Sequence, residues 1–213
     1  MMTKQKFNDQ RTAIQDYLGV SDTSGGSRRS CFVAALVDAR TFTGRDPQTG
    51  KKLPGSNHGC WLGALGYMAL LDQVGSCLKP KGMNVDGSKI KKSLVYFSNL
   101  SDPEIEAIYA LRCAFAHNYS LVNVNQSRQD RQHIFTLYQG DTAPLIKLPR
   151  VSWNGDFSTV TVDYRTVVNL EAFGDLVEAV CKRAREQAAK DDLEISLPRG
   201  VSELLLRYFF VVR

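Results

Sequence analysis

Between Gly59 and Leu78 the chain reads "GCWLGALGYMALLDQVGSCL", a stretch that is apolar nearly all round and is broken only by Asp72 and Gln73. A helix that is apolar on every side has to be enclosed, by protein or by lipid. A membrane span needs about 20 predominantly apolar residues, and the uninterrupted run here stops at Asp72. The stretch therefore predicts a central helix inside a protein core. Gly59, Gly63 and Gly66 near its start would let a neighbouring backbone approach closely, from this chain or from a second copy.

A core around that helix is affordable, since 213 residues with 43% hydrophobic content suffice for one domain spanning 1–213. The net charge of +5 permits a polyanionic partner such as RNA without demanding one. The opening "MMTKQKFNDQ" lacks the apolar core of an export signal, which sets the expectation of a cytoplasmic protein. Five scattered cysteines, an odd number in mostly apolar surroundings, read as reduced thiols.

Around the central stretch the text predicts further helices. One covers Phe7 to about Gly19, and Ser30 is placed to cap a buried helix "CFVAALVDARTF". The segment from Thr43 to Asn57 carries glycines, prolines and charges and reads as an exposed connection. Lys89 to Asn99 is a short helix. "SDPEIEAIYALRCAFAHN" opens on Ser101, with Glu104 three residues on and Pro103 in the first turn, a capping box. Asn118 is its expected stop, because Asn tolerates the left-handed conformation.

From Gln132 to Arg165 the segments "HIFTLYQ", "APLIKLPRV" and "FSTVTVDYR" are short and rich in β-branched and aromatic residues. They predict a small antiparallel sheet. Helix resumes at about Val168, with Leu170, Phe173, Leu176, Val177, Val180 and Ala184 at helical spacing and Lys182, Arg183 and Arg185 off that stripe. The tail "SELLLRYFFVVR" is readable as helix or as strand. The fold class expected is mainly α with a small inserted sheet.

Chemistry concentrates at the end of the capped helix. At about 100° per residue, Ile105, Ile108, Tyr109, Arg112, Phe115 and Ala116 fall on one side, with Arg112 at the centre. A guanidinium there is costly to bury without a partner. No residue three or four positions away is acidic, so the partner comes from another element, another subunit or a bound anion. His117 would point about 140° away from Arg112 on a regular helix. A shared ligand needs the helix to end or bend at His117.

"RCAFAHNY" with its helix resembles the HEPN superfamily (higher eukaryote and prokaryote nucleotide-binding domains), whose signature is Arg, four to six residues, then His. Arg112 and His117 match it, and Tyr119 matches the H-x-Y extension of a toxin subset. The likeness covers Glu104 to Asn123. It implies an all-α bundle that forms a homodimer and a metal-independent endoribonuclease that needs no cofactor, with two subunits' motifs meeting across the interface. His117 would serve as general base or acid on the 2′-hydroxyl, and Arg112 would hold the phosphate and stabilise the transition state. Asn118 and Tyr119 would position substrate. The resemblance also allows a non-catalytic nucleotide- or protein-binding module, an antitoxin partner, and AMP modification of Tyr119. Cys113 stands where family members often carry a polar residue.

Other constellations carry less. Cys113 and His117 are four apart, at the spacing of a thiol–imidazole pair, yet a small buried cysteine reads better as core filler. His58 and Cys60 lack a second pair for zinc. "GRDPQTGKK" has the wrong spacing for a phosphate loop. "SGGSRRS" before a helix would allow anion binding through backbone amides, with Arg28 and Arg29 assisting, although such Gly/Ser text more often forms a linker.

Overall fold

In the computed structural model, which describes residues 9–20, 28–125, 127, 132–140 and 143–211, α3 (Trp61–Cys77) is the axis of the molecule. Its enclosure follows from its composition. Ala64, Tyr67, Leu70, Leu71 and Val74 are at most 2% exposed, each large apolar side chain contributing about 1.5–3 kcal/mol on burial. Around it pack α2 (Cys31–Phe42), α4 (Lys89–Phe97), α5 (Asp102–Asn118) and α6 (Leu170–Ala189). Two further helices, α1 (Gln10–Leu18) and α7 (Gly200–Tyr208), complete the helical part among the described residues. None of these helices is long and apolar enough to cross a membrane.

Small residues set the distances between helices. A Cβ on Gly66 would stand 3.2 Å from the Cβ of Ala39, so α2 lies close against α3. The tightest crossing is elsewhere: a Cβ on Gly75 would meet the Lys89 carbonyl group and stand 2.8 Å from the Ser93 amide nitrogen of α4. The close approach expected of the early glycines is thus shared with a later one.

The helix ends follow local chemistry. Asp9 and Ser30 cap α1 and α2, Ser30 Oγ accepting from Val33 N at 3.0 Å, and Gly19 closes α1 in the left-handed conformation. The capping box of α5 is present, with Glu104 Oε2 accepting from Ser101 N at 2.8 Å. The helix ends at Asn118 as expected, but the left-handed residue that closes it is Tyr119, not Asn118. Phe7 of the first expected helix, and Ser24–Ser27 of "SGGSRRS", lie outside the described residues.

Two short antiparallel pairs tie distant segments together: β1 (Arg28–Ser30) with β8 (Phe209–Val211), and β2 (Leu78–Pro80) with β7 (Leu193–Ile195). The expected linker at Arg28 and Arg29 is therefore a strand. "SELLLRYFFVVR" divides into α7 and then β8, so it is both helix and strand.

The inserted sheet is mixed rather than antiparallel. Its four strands run in the order β3 (Val122–Asn123), β4 (His133–Tyr138), β6 (Arg165–Asn169), β5 (Ile146–Lys147), and the central pair β4–β6 is parallel. It reaches beyond residues 132–165 on both sides. "FSTVTVDYR" forms two 3-10 turns, Phe157–Thr159 and Val162–Tyr164, before the strand begins. Strand also continues through Val168, and α6 starts at Leu170, because Asn169 caps it by accepting from Glu171 N and Ala172 N.

The connection from Thr43 to Asn57 is not a free loop. Thr43, Arg45 and Gly50 are buried. Arg40 donates to the carbonyls of Pro47 and Gln48 at 3.0 and 2.8 Å. Arg45 reaches Asp175 at 2.8 Å, and Lys52 reaches Glu171 and Asp175 at 2.7 and 2.9 Å, so charges that looked solvated pin the segment onto α6.

Candidate functional site at the end of α5

Arg112 lies at the edge of the buried stripe, not at its centre. The enclosed residues of α5 are Ile105, Ala107, Ile108, Ala110, Leu111, Ala114 and Phe115, so the inward direction passes through Leu111, roughly 100° from Arg112 by the helical step. The expected stripe passed over Leu111 and three inward-facing alanines, Ala107, Ala110 and Ala114, which displaced it toward Arg112. Tyr109 is half-buried and Ala116 is exposed.

The partner of Arg112 comes from another element, as the lack of a local acid required. Arg112 Nε and Nη2 both donate to Asp72 Oδ2 on α3, at 2.9 and 2.8 Å, with the two side chains 29% and 22% exposed. Partial burial alone would disfavour the charged guanidinium, but the hydrogen bonds and attraction of Asp72 outweigh it and raise the pKa further. Two of the five guanidinium donors are thereby committed and the group is held in one orientation. Asp72 was missed as a site residue, though it was visible as one of the two breaks in the apolar run.

α5 stays regular through His117 and Asn118, so the bend that would bring His117 round to Arg112 within one chain is absent. The two diverge by about 140° around the helix and about 7.5 Å along it. His117, Asn118 and Tyr119 are all exposed.

Tyr119 holds a left-handed backbone, φ 49° and ψ 45°, an uncommon conformation for an aromatic residue that costs about 1–2 kcal/mol. The chain closes there because Tyr119 N donates to Phe115 O at 3.0 Å and Ser120 N to Ala114 O at 3.1 Å. Aromatic packing supports the turn. Trp61 stacks on Phe115 at 5.2 Å and meets the Tyr119 ring edge-on at 5.4 Å, while Tyr119 stays 47% exposed. The start of α3 is fixed in turn by β4, whose following residue Gln139 donates from Nε2 to Gly59 O at 3.1 Å.

Arg28 and Arg29 belong to another part of the molecule. They sit on β1, which packs against α1, α2 and β8, whereas α5 packs against α3, α4, β3 and β4. They line a cavity of about 410 Å³ with Asp16 and Asp38. His58 is engaged structurally, its Nδ1 lying 2.9 Å from Thr43 O. Comparison of the chain with family models, with curated proteins and with solved structures found no match.

Proposed function

We propose that the end of α5 is an RNA-cleaving site of HEPN type, composed across two copies of the chain. The observation that carries this reading is the juxtaposition at one helix exit of an oriented Arg112, an exposed His117 and a strained, aromatically supported Tyr119. Strained backbone that its surroundings hold in place is a recurrent mark of functional sites. The resemblance of "RCAFAHNY" to the HEPN signature gives these residues their roles.

The chemistry follows from the side chains. His117 would take the proton of a ribose 2′-hydroxyl as that oxygen attacks the adjacent phosphorus, and a second imidazole or water would protonate the leaving 5′-oxygen. Arg112, oriented by Asp72, would present its remaining donors to the phosphate as charge builds on it. Asn118 and Tyr119 would position the nucleotide. Because Arg112 and His117 diverge within one chain, one phosphate can meet both only if a second copy supplies one of them; a two-fold axis beside α5 would do this.

The second reading is a non-catalytic nucleotide- or protein-binding module, and the Arg112–Asp72 pair favours it, because the carboxylate cancels much of the charge a phosphate would seek. One experiment separates the readings. Purified protein is incubated with RNA in EDTA, as wild type, as Arg112→Ala, as His117→Ala, and as an equimolar mixture of the two variants allowed to exchange subunits. The expected result is cleavage by wild type, none by either variant, and about a quarter of wild-type activity in the mixture, where half the dimers hold one intact composite site. Cleavage surviving both substitutions sinks the site, and activity lost in both but not restored in the mixture sinks its composite form.

A further inference from the structure

Beyond the end of α5, Lys182 and Arg185, two of the three basic side chains off the apolar stripe of α6, line a groove. It lies between α2, the segment after it and α6, and consists of a cavity of about 420 Å³ adjoining one of about 210 Å³, with Arg40, Gln48 and Arg185 in both walls. The two halves differ in chemistry. The smaller adds Gly19, Val33, Leu36, Val37 and Pro47 to the shared polar residues, so its lining is mixed, with the apolar side chains on one wall. The larger carries Lys51 and Lys182 in addition to the shared arginines, opposed by Glu178 and Glu186. Four cations against two carboxylates leave a net +2.

The carboxylates are already engaged. Glu178 binds Arg40 in a two-pronged pair at 2.8 and 2.7 Å and accepts from Tyr67 Oη at 2.9 Å. Glu186 lies 3.8 Å from Lys182 on the surface. Arg185 is left over. Its Nε donates to Leu18 O at 2.8 Å and its guanidinium stands over the Phe32 ring at 5.8 Å, but among the described residues no carboxylate lies within ion-pair distance of it. Partial burial and then the charge of Arg40 lower its pKa, so the cation sits where a positive charge is least comfortable. The attraction of an anion in the groove would offset both effects.

The walls are rigid as well as charged. Gly50 has φ +73°, and a Cβ there would stand 2.9 Å from Glu178 Cδ and 3.0 Å from Arg40 Nε, so the backbone of the segment lies directly on the ion pair. Arg40, 5% exposed and with donors on two carbonyls and one carboxylate, is a fixed part of the wall.

We infer that this groove binds an organic phosphate, with the apolar body of the ligand against Val33, Val37 and Pro47 and the phosphate on Arg185, Lys51 and Lys182. A cavity of a few hundred Å³ with Val33, Val37 and Pro47 on one wall and an excess of positive charge in its lining has the dimensions of a small-molecule site rather than of a lone ion site. This site is independent of the α5 exit.

The test is calorimetric titration of the full chain at low salt with a nucleoside triphosphate and, separately, with inorganic triphosphate. Variants are Arg185→Met, which keeps the stem that packs on Phe32, and Lys51→Ala/Lys182→Ala, two exposed positions whose change leaves the fold intact. The expected result is saturable binding of the nucleoside triphosphate, weaker binding of inorganic triphosphate, and at least a tenfold loss in each variant. Arg112→Ala/His117→Ala should bind as wild type does. The inference is overturned if neither probe binds, if the lysine variant binds unchanged, or if only the α5 variant loses binding. Equal affinity for both probes overturns the role of the apolar wall.

Discussion

Replacing Gly75 by Ala tests the packing on which the α5 exit depends. In the interior of α3 the substitution gains about 1 kcal/mol of helix propensity. Against this, the added Cβ enters the backbone of α4, 2.8 Å from Ser93 N and 2.9 Å from Lys89 C. Overpacking against movable side chains costs about 1–3 kcal/mol; here the obstacles are main-chain atoms fixed by their own helix, which places the cost at about 3–4 kcal/mol by the same rule. The net loss is about 2–3 kcal/mol, or a melting temperature lower by roughly 5–10 °C in a domain of this size. Gly66→Ala is the control, since its Cβ would stand 3.2 Å from a side-chain methyl; gain and cost nearly cancel there and the variant should melt close to wild type. Both are measured by thermal and urea unfolding followed by circular dichroism. Asp72 lies one turn before Gly75, so the displaced helix should also weaken the grip on Arg112. A Gly75→Ala protein as stable as wild type would refute the close α3–α4 crossing.

Two further outcomes follow from the ion pairs and the thiols. A double-mutant cycle over Asp72→Ala and Arg112→Ala should give a coupling of about 0.5–1 kcal/mol, because both side chains are partly exposed and screened; a value near zero in urea unfolding would remove Asp72 as the group that orients Arg112. Burial pushes the Cys77 thiol up to about 11 and the Cys181 thiol up to about 12. In the unfolded chain these thiols ionise near their ordinary value of 9.0 while the folded ones stay protonated, so their contribution is intact below about pH 9 and is lost as pH rises toward 11. Urea midpoints at pH 8 and pH 10 should fall accordingly, and a midpoint that rises would contradict the burial.

The sequence was most legible where local chemistry decides structure. Ser30, Glu104 and Pro103 mark helix starts through bonds made within one turn, and those marks hold. It was least legible where a residue's role depends on a distant partner. Nothing near Arg40, Arg45 or Lys52 in the sequence announces the carboxylates of α6 that pin the segment 43–57 in place. The parallel pairing of β4 with β6 is equally non-local, and alternation alone cannot tell parallel from antiparallel. At the candidate site, the need for a partner to Arg112 was readable while its identity was not. The left-handed residue that closes the helix was misplaced by one position because Tyr119 takes that conformation against its intrinsic preference, packed against Trp61 of α3.

Asn169 makes the sheet and α6 into a single lever. It is the last residue of β6 and the cap of α6, and its Nδ2 also donates to Gly140 O and Ala143 O at 2.8 and 3.1 Å. No slack separates strand from helix. The sheet abuts the α5 exit through β3 and β4, and α6 carries Glu178 and Arg185 at the groove. A substitution at Asn169 should therefore disturb the end of the strand and the start of the helix together, not either one alone.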